Sequence, residues 1–160
     1  MHIPLATKLR KRFSLLKHAQ IGVEDGWYDL ITEMCEGAEE RLEFEDVRDL
    51  KISSIDANNG LLHVEFSPCN EAVFFIMLKA KYYSWIICEL CGERGSMNSD
   101  GCFFKVLCEA HKLSEDYENY SELNETQRDQ LEKTACSPME LNLNWVWSQL
   151  EFPRLAQISE

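Results

Sequence analysis

Residues 47–67 read Val-Arg-Asp-Leu-Lys-Ile-Ser-Ser-Ile-Asp-Ala-Asn-Asn-Gly-Leu-Leu-His-Val-Glu-Phe-Ser. Two runs with β-branched and aromatic residues flank Asn59-Gly60. An Asn-Gly pair accepts two successive positive φ angles, which is what a tight hairpin turn requires. Leu62, Val64 and Phe66 alternate with Leu61, His63 and Glu65, a period of two. The stretch predicts a β-hairpin of 47–55 with 61–67. His63 falls opposite Val64 and reads as a surface or cross-strand histidine.

On the N-terminal side, residues 4–19 predict a short helix with Leu9, Phe13 and Leu16 on one side. Gly22 and Asp25-Gly26 interrupt it. A stronger helix follows over 27–43. Trp27, Leu30, Ile31, Met34, Cys35, Ala38 and Leu42 recur at spacings of three and four, so they share a face. Glu33, Glu36, Glu39, Glu40 and Glu43 are assigned to the opposite face. That face is either simply solvated or an acidic surface for a basic partner.

On the C-terminal side, Ser67-Pro68 ends the strand and Asn70 caps a helix over 71–87. This helix is apolar nearly all round, with Lys79 and Lys81 as exceptions, and reads as the spine of the core. A central Lys costs about 2.5–3.5 kcal/mol in a membrane span, so the segment is not expected to be one. The segment 113–135 is acidic and reads as a loop leading into a short helix at 126–133. Residues 139–147 fit a strand by alternation and a helix by the capping box at Ser137-Pro138-Met139-Glu140. The class implied is α+β: N-terminal helices, a hairpin, a long buried helix running into a metal knuckle, and a C-terminal extension. Residues 1–112 form the domain, and 113–160 are an acidic segment and extension docked on it.

The chemistry lies in Cys88-Glu-Leu-Cys91-Gly92 and, 16 residues on, Cys108-Glu-Ala-His111. Zinc takes four soft or borderline ligands in a tetrahedron, and two close pairs joined by a loop supply them. A structural Zn held by Cys88, Cys91, Cys108 and His111 is the leading reading. Cys102 lies within the loop and is a rival ligand. A redox Cys88/Cys91 pair is a second reading. It needs the first thiol at a helix N-terminus, whereas this pair follows a helix. Plain buried cysteines are the third. Cys35, Cys69, Cys102 and Cys136 are assigned to that kind. No nucleophile–base spacing, phosphate loop or His-Glu-x-x-His stands elsewhere. A closed Cys3His site also leaves no activated water, so no enzyme is expected.

Gly26-Trp27-Tyr-Asp-Leu30-Ile31, Gly60-Leu-Leu-His-Val-Glu-Phe66, Cys88-x-x-Cys91-Gly92-x-x-Gly95 and Leu107-Cys108-Glu-Ala-His111 together resemble a group of small bacterial and prophage-type proteins. The likeness covers about residues 25–112. It implies the same fold, a zinc knuckle and no assigned reaction. The chain departs from the pattern at 51–58, where a basic and aromatic run is usual in the group.

The 160 residues carry 28 Asp+Glu and 16 Lys+Arg, a net charge of -12. Residues 1–20 hold five of the bases and no acid, so the other 140 residues carry a net of -17. Such a surface repels phosphate backbones and suits a basic partner. Seven cysteines, an odd number, with no apolar run after the basic start, predict a cytoplasmic protein without a disulfide framework. The function expected is a binding protein for a basic partner, such as an immunity protein against a nuclease-type toxin. Its surface is assigned to Glu33, Glu36, Glu39, Glu40 and Glu43, with Glu115, Asp116 and Glu118 second. The alternative is a zinc-knuckle nucleic-acid or transcription adaptor using Lys8, Arg10, Lys11, Arg12, Lys17 and Arg94. A redox- or metal-sensing regulator is a third class.

Overall fold

A computed structural model of the chain describes residues 1–44, 50–68, 71–99, 103–112 and 118–119. The fold is α+β. Helix α1 (Ile3–Arg12) starts with Pro4 in its first turn, where the missing N–H costs nothing. Arg10, Lys11 and Arg12 occupy its last turn, the end at which cations suit the helix dipole. The helix predicted over 4–19 therefore ends early. A 3₁₀ turn at Ser14–Leu16 follows, and then a strand, β1 (Gln20–Gly22). A second 3₁₀ turn, Asp25–Trp27, leads into α2 (Tyr28–Phe44).

The hairpin is present as β2 (Lys51–Asn58) and β3 (Leu61–Ser67). Asn58 pairs with Leu61, leaving a two-residue loop. Asn59 and Gly60 both have positive φ, 51° and 73°. That is the twist-matched turn the Asn-Gly pair encodes. The first strand is displaced from the expected 47–55, and 47–49 lie outside the described residues. β1 runs parallel to β2, with Gln20 opposite Ser54 and Gly22 opposite Asp56. The sheet order is β1-β2-β3.

Helix α3 (Glu71–Ser84) stops three residues short of the expected end. It packs against α2 and against β3. Leu9, Phe13, Leu16, Trp27, Leu30, Ile31, Met34, Ile52, Ile55, Leu62, Ile76 and Ala80 form one continuous buried cluster. Ser84 Oγ accepts from the Leu62 N–H at 2.9 Å and donates to the Lys81 carbonyl, tying the end of α3 to β3.

Two charged residues are buried, and one of them, Glu33, is not where the periodicity puts it. Glu33 is only 4% exposed and Lys79 only 1%. α2 is flanked by α1 and α3 rather than lying on one side of a layer, so its inward arc is wider than a single stripe. Glu33 is accordingly corrected from the acidic surface to the interior.

After α3 a second, smaller sheet forms. β4 (Ser96–Ser99) pairs antiparallel with β5 (Phe104–Leu107). The other edge of β4 takes β6 (Glu118–Asn119), with Ser99 opposite Glu118. The loop expected at 113–135 thus contains a short strand. Glu115 and Asp116, the helix at 126–133 and the segment 139–147 lie outside what is described, as do the Glu43 and Glu118 side chains, Cys69, Cys102 and Cys136. Among the described residues no helix is long and apolar enough to cross a membrane.

Candidate metal centre

The chain leaves α3 through two turn hydrogen bonds, Trp85 N–H to Tyr82 and Ile86 N–H to Tyr83. It then folds back on itself. Ile87 bridges Arg94, the Cys88 N–H donates to Glu93 at 2.7 Å, and the Gly95 N–H donates to Ile86 at 2.8 Å. Gly92 closes this knuckle with φ of 84°, and its N–H donates to the Cys88 carbonyl at 2.9 Å. A side chain would strain that backbone.

The β4–β5 hairpin supplies the second pair of ligands. It returns the chain so that Ser96 lies opposite Leu107, and Cys108 follows directly. The Glu89 N–H donates to Val106 at 2.9 Å, joining the knuckle to β5. N–H groups of His111 and Lys112 both donate to the Cys108 carbonyl, which turns His111 back toward Cys108.

One ligand atom from each of Cys88, Cys91, Cys108 and His111 lies within 4.8 Å of every other. Cys91 Sγ is 3.6 Å from Cys108 Sγ, and Cys88 Sγ is 3.7 Å from His111 Nδ1. Cys108 Sγ is 3.2 Å from the same Nδ1. The structure thus brings all four expected ligands together, in a cluster that could hold a metal ion. The ring nitrogen facing the thiols is Nδ1, a choice the sequence could not make. Cys88 and Cys108 are buried, His111 is half-buried and Cys91 is exposed.

The thiols are electrostatically unequal. Partial loss of hydration at its sulfur raises Cys91, and the neighbouring Cys108 and Cys88 thiols reinforce it against the Glu93 N–H, so its pKa reaches about 11. Burial also opposes ionisation of Cys108. Hydrogen bonds from Cys91 and from the His111 ring and backbone outweigh it and bring Cys108 down to about 7. A cation at the centre favours thiolate on all three.

No family model, curated protein or solved structure matches this chain.

Two contacts that carry the centre were not assigned from sequence. Gly26 donates its N–H to the Glu89 carbonyl at 2.8 Å. The Trp27 indole N–H, fully buried, donates to the Ile87 carbonyl at 3.0 Å. The Gly26-Trp27 pair thus docks the start of α2 onto the knuckle. Its signal was the dipeptide itself, a glycine next to a large buried aromatic. The second is Glu89. Its side chain is 3% exposed and pairs with Lys105 Nζ at 2.9 Å. Burial raises the Glu89 carboxyl above its ordinary range, while Lys105 pulls it down. Lys105 sits on β5, one pleat away from Val106, and nothing in its spacing pointed to this partner.

Of the acidic surface, Glu40 is exposed, while Glu36 and Glu39 are half-buried. Glu36 is ion-paired with Arg12. The basic arm is therefore folded onto the body. Arg10 donates twice to the Ala19 carbonyl, at 3.2 and 2.9 Å, and Lys8 Nζ lies 5.3 Å over the Tyr28 ring.

Proposed function

We propose that this chain is a non-enzymatic acidic binding protein, stapled by a structural zinc ion, that neutralises a basic protein partner. An immunity protein acting on a nuclease-type toxin is the kind of molecule this describes.

The donor set suits zinc. Tetrahedral zinc with Zn–S of about 2.3 Å and Zn–N of about 2.0–2.1 Å implies ligand–ligand edges of about 3.6–3.8 Å. Three of the six edges, at 3.2, 3.6 and 3.7 Å, lie near those lengths. Cys88, Cys91, Cys108 and His111 would hold the ion. Four protein ligands leave no position for a reactive water, so the ion would supply folding energy rather than catalysis.

The observation that carries the binding role is the disposition of charge. The chain has a net charge of -12, and three cations of its basic arm are spent on internal contacts with Glu36, Ala19 and Tyr28. That use of the arm speaks against the adaptor alternative, which needs those cations for phosphates. Complementary potentials accelerate association with a basic protein, with a rate that falls as salt rises.

The test is co-expression with the product of the neighbouring gene. Restored growth, and a complex whose association slows with salt and with Glu40→Lys, are expected. A harmless neighbour that does not bind the chain defeats the reading. Salt-dependent binding of DNA or RNA by the purified chain would favour the adaptor instead.

A further inference from the structure

The four candidate ligands come from two separate parts of the fold. Cys88 and Cys91 stand in the knuckle after α3, and Cys108 and His111 follow β5. An ion at the centre would therefore clasp the knuckle to the end of the second hairpin. The three thiols differ in access. Cys88 and Cys108 are buried, whereas Cys91 is exposed. A dissolved oxidant meets Cys91 first, and oxidation of thiolates follows exposure.

The sulfur that Cys91 would meet next belongs to the other pair. Cys91 Sγ is 3.6 Å from Cys108 Sγ, which is contact distance for two sulfur atoms. Cys88 Sγ lies 3.7 Å from His111 Nδ1. The position of the bond decides its effect. A disulfide between Cys88 and Cys91 would close a ring inside the knuckle and hold nothing to β5. One between Cys91 and Cys108 would cross from knuckle to hairpin, as the ion does. It would also close the longer loop, and a crosslink constrains the unfolded chain more as its loop lengthens.

We propose that the centre is a peroxide-sensitive clasp, in which oxidation joins Cys91 to Cys108, releases the ion and leaves the disulfide to tie the knuckle to β5. This rests on the four-ligand zinc reading above and is independent of the basic partner.

The chemistry balances with hydrogen peroxide as the oxidant. The Cys91 thiolate attacks one peroxide oxygen. The S–O bond forms, the O–O bond breaks, and the departing hydroxide takes a proton from solvent to become water. The Cys108 thiolate then attacks the Cys91 sulfur. The S–S bond forms, the S–O bond breaks, and a second hydroxide leaves and is protonated. The two sulfurs lose two electrons between them, and one peroxide becomes two waters. Cys88 and His111 remain, two donors where zinc takes four.

The experiment treats the full zinc-loaded chain with a small excess of hydrogen peroxide. Released zinc is followed with a chromogenic chelator, and disulfides are mapped by mass spectrometry after alkylation of the remaining thiols. Release of one zinc per chain is expected, in step with a Cys91–Cys108 crosslink. The oxidised chain should keep a cooperative thermal transition. A thiol reductant added with chelator should abolish that transition, and reductant with zinc should restore it. Zinc retained under peroxide overturns the proposal and leaves the zinc reading standing. A crosslink mapped to Cys88–Cys91 also overturns it, as does an oxidised chain that unfolds like the reduced, chelated one. A chain that carries no zinc before any oxidant is added defeats the zinc reading, and this proposal with it.

Discussion

Gly26 and Cys88 approach so closely that a Cβ on Gly26 would lie 2.3 Å from the Cys88 carbonyl oxygen, with the Cys91 and Gly92 nitrogens at 2.6 Å. All three contacts are backbone, so no side chain can move aside. Gly26→Ala is expected to force the 3₁₀ turn off the knuckle. The cost is expected to be about 1–3 kcal/mol, the range for overpacking, and metal affinity should fall with it. Urea unfolding with zinc present, combined with a competition measurement of zinc affinity, checks both. An unchanged midpoint would mean that the turn is not seated there.

Native mass spectrometry is expected to find one zinc per chain. Cys88→Ser or His111→Ala should lose the ion and most of the cooperative unfolding transition, because binding energy at such a centre is folding energy. Cobalt substitution gives a second readout. The absorption of a tetrahedral site with three thiolates is expected for the parent chain and not for His111→Ala. A chain that unfolds identically with and without chelator would refute the structural role.

Lys105→Met leaves the Glu89 carboxylate buried without its cation. The full loss for a buried pair is about 3–5 kcal/mol. The Lys105 side chain is 39% exposed, so water screens part of it and about 1–3 kcal/mol is expected. Adding Glu89→Gln should recover much of that loss, because the stranded charge is gone. A double-mutant cycle in chemical denaturation reads the coupling, and additive losses would show that the pair contributes nothing.

Cys35 sets an alkaline limit. Burial holds its thiol well above the ordinary value, with Glu39 and Glu36 adding to the shift. Above pH 9 the unfolded chain therefore gives up a proton that the folded chain keeps. The folded state then binds more protons, so stability falls as pH rises, by at most about 1.4 kcal/mol per pH unit from this group. Cys35→Ala is expected to lower stability at neutral pH by creating a small void and to flatten the slope above pH 9. Thermal melts between pH 8 and about 10.5, bracketing the ordinary thiol range, test this. A slope unchanged by the substitution would assign it to other groups.

Much of this fold could be read from the residues, and the parts that could not share a cause. The Asn59-Gly60 turn declares itself because its chemistry is local. The four candidate ligands do so because their spacing is the chemistry. β1 has three residues and exists only by pairing with β2 more than thirty positions away, so no local pattern marks it. β4 and β5 have four residues each and lie inside the loop between the ligand pairs, which hides Met97 and Val106 as a second small core. The apolar run through Ile87 extended α3 on paper. In the fold those last residues leave the helix to begin the knuckle. Glu33 was misplaced because helical spacing gives the direction of a face but not how many neighbours surround it.

The seating of Gly26 on the knuckle has a thermodynamic corollary. The residue that starts the turn into α2 and the residue between two ligands share a hydrogen bond, Gly26 N–H to Glu89. α2 also carries Glu36, Glu39 and Glu40. If a metal occupies the centre and a partner engages that helix, as proposed, the two are linked equilibria, and linkage is reciprocal. A partner that grips α2 better when the turn is seated must hold the ion in place by the same factor. Metal dissociation, followed with and without that partner, becomes a gauge of binding at a distance from both.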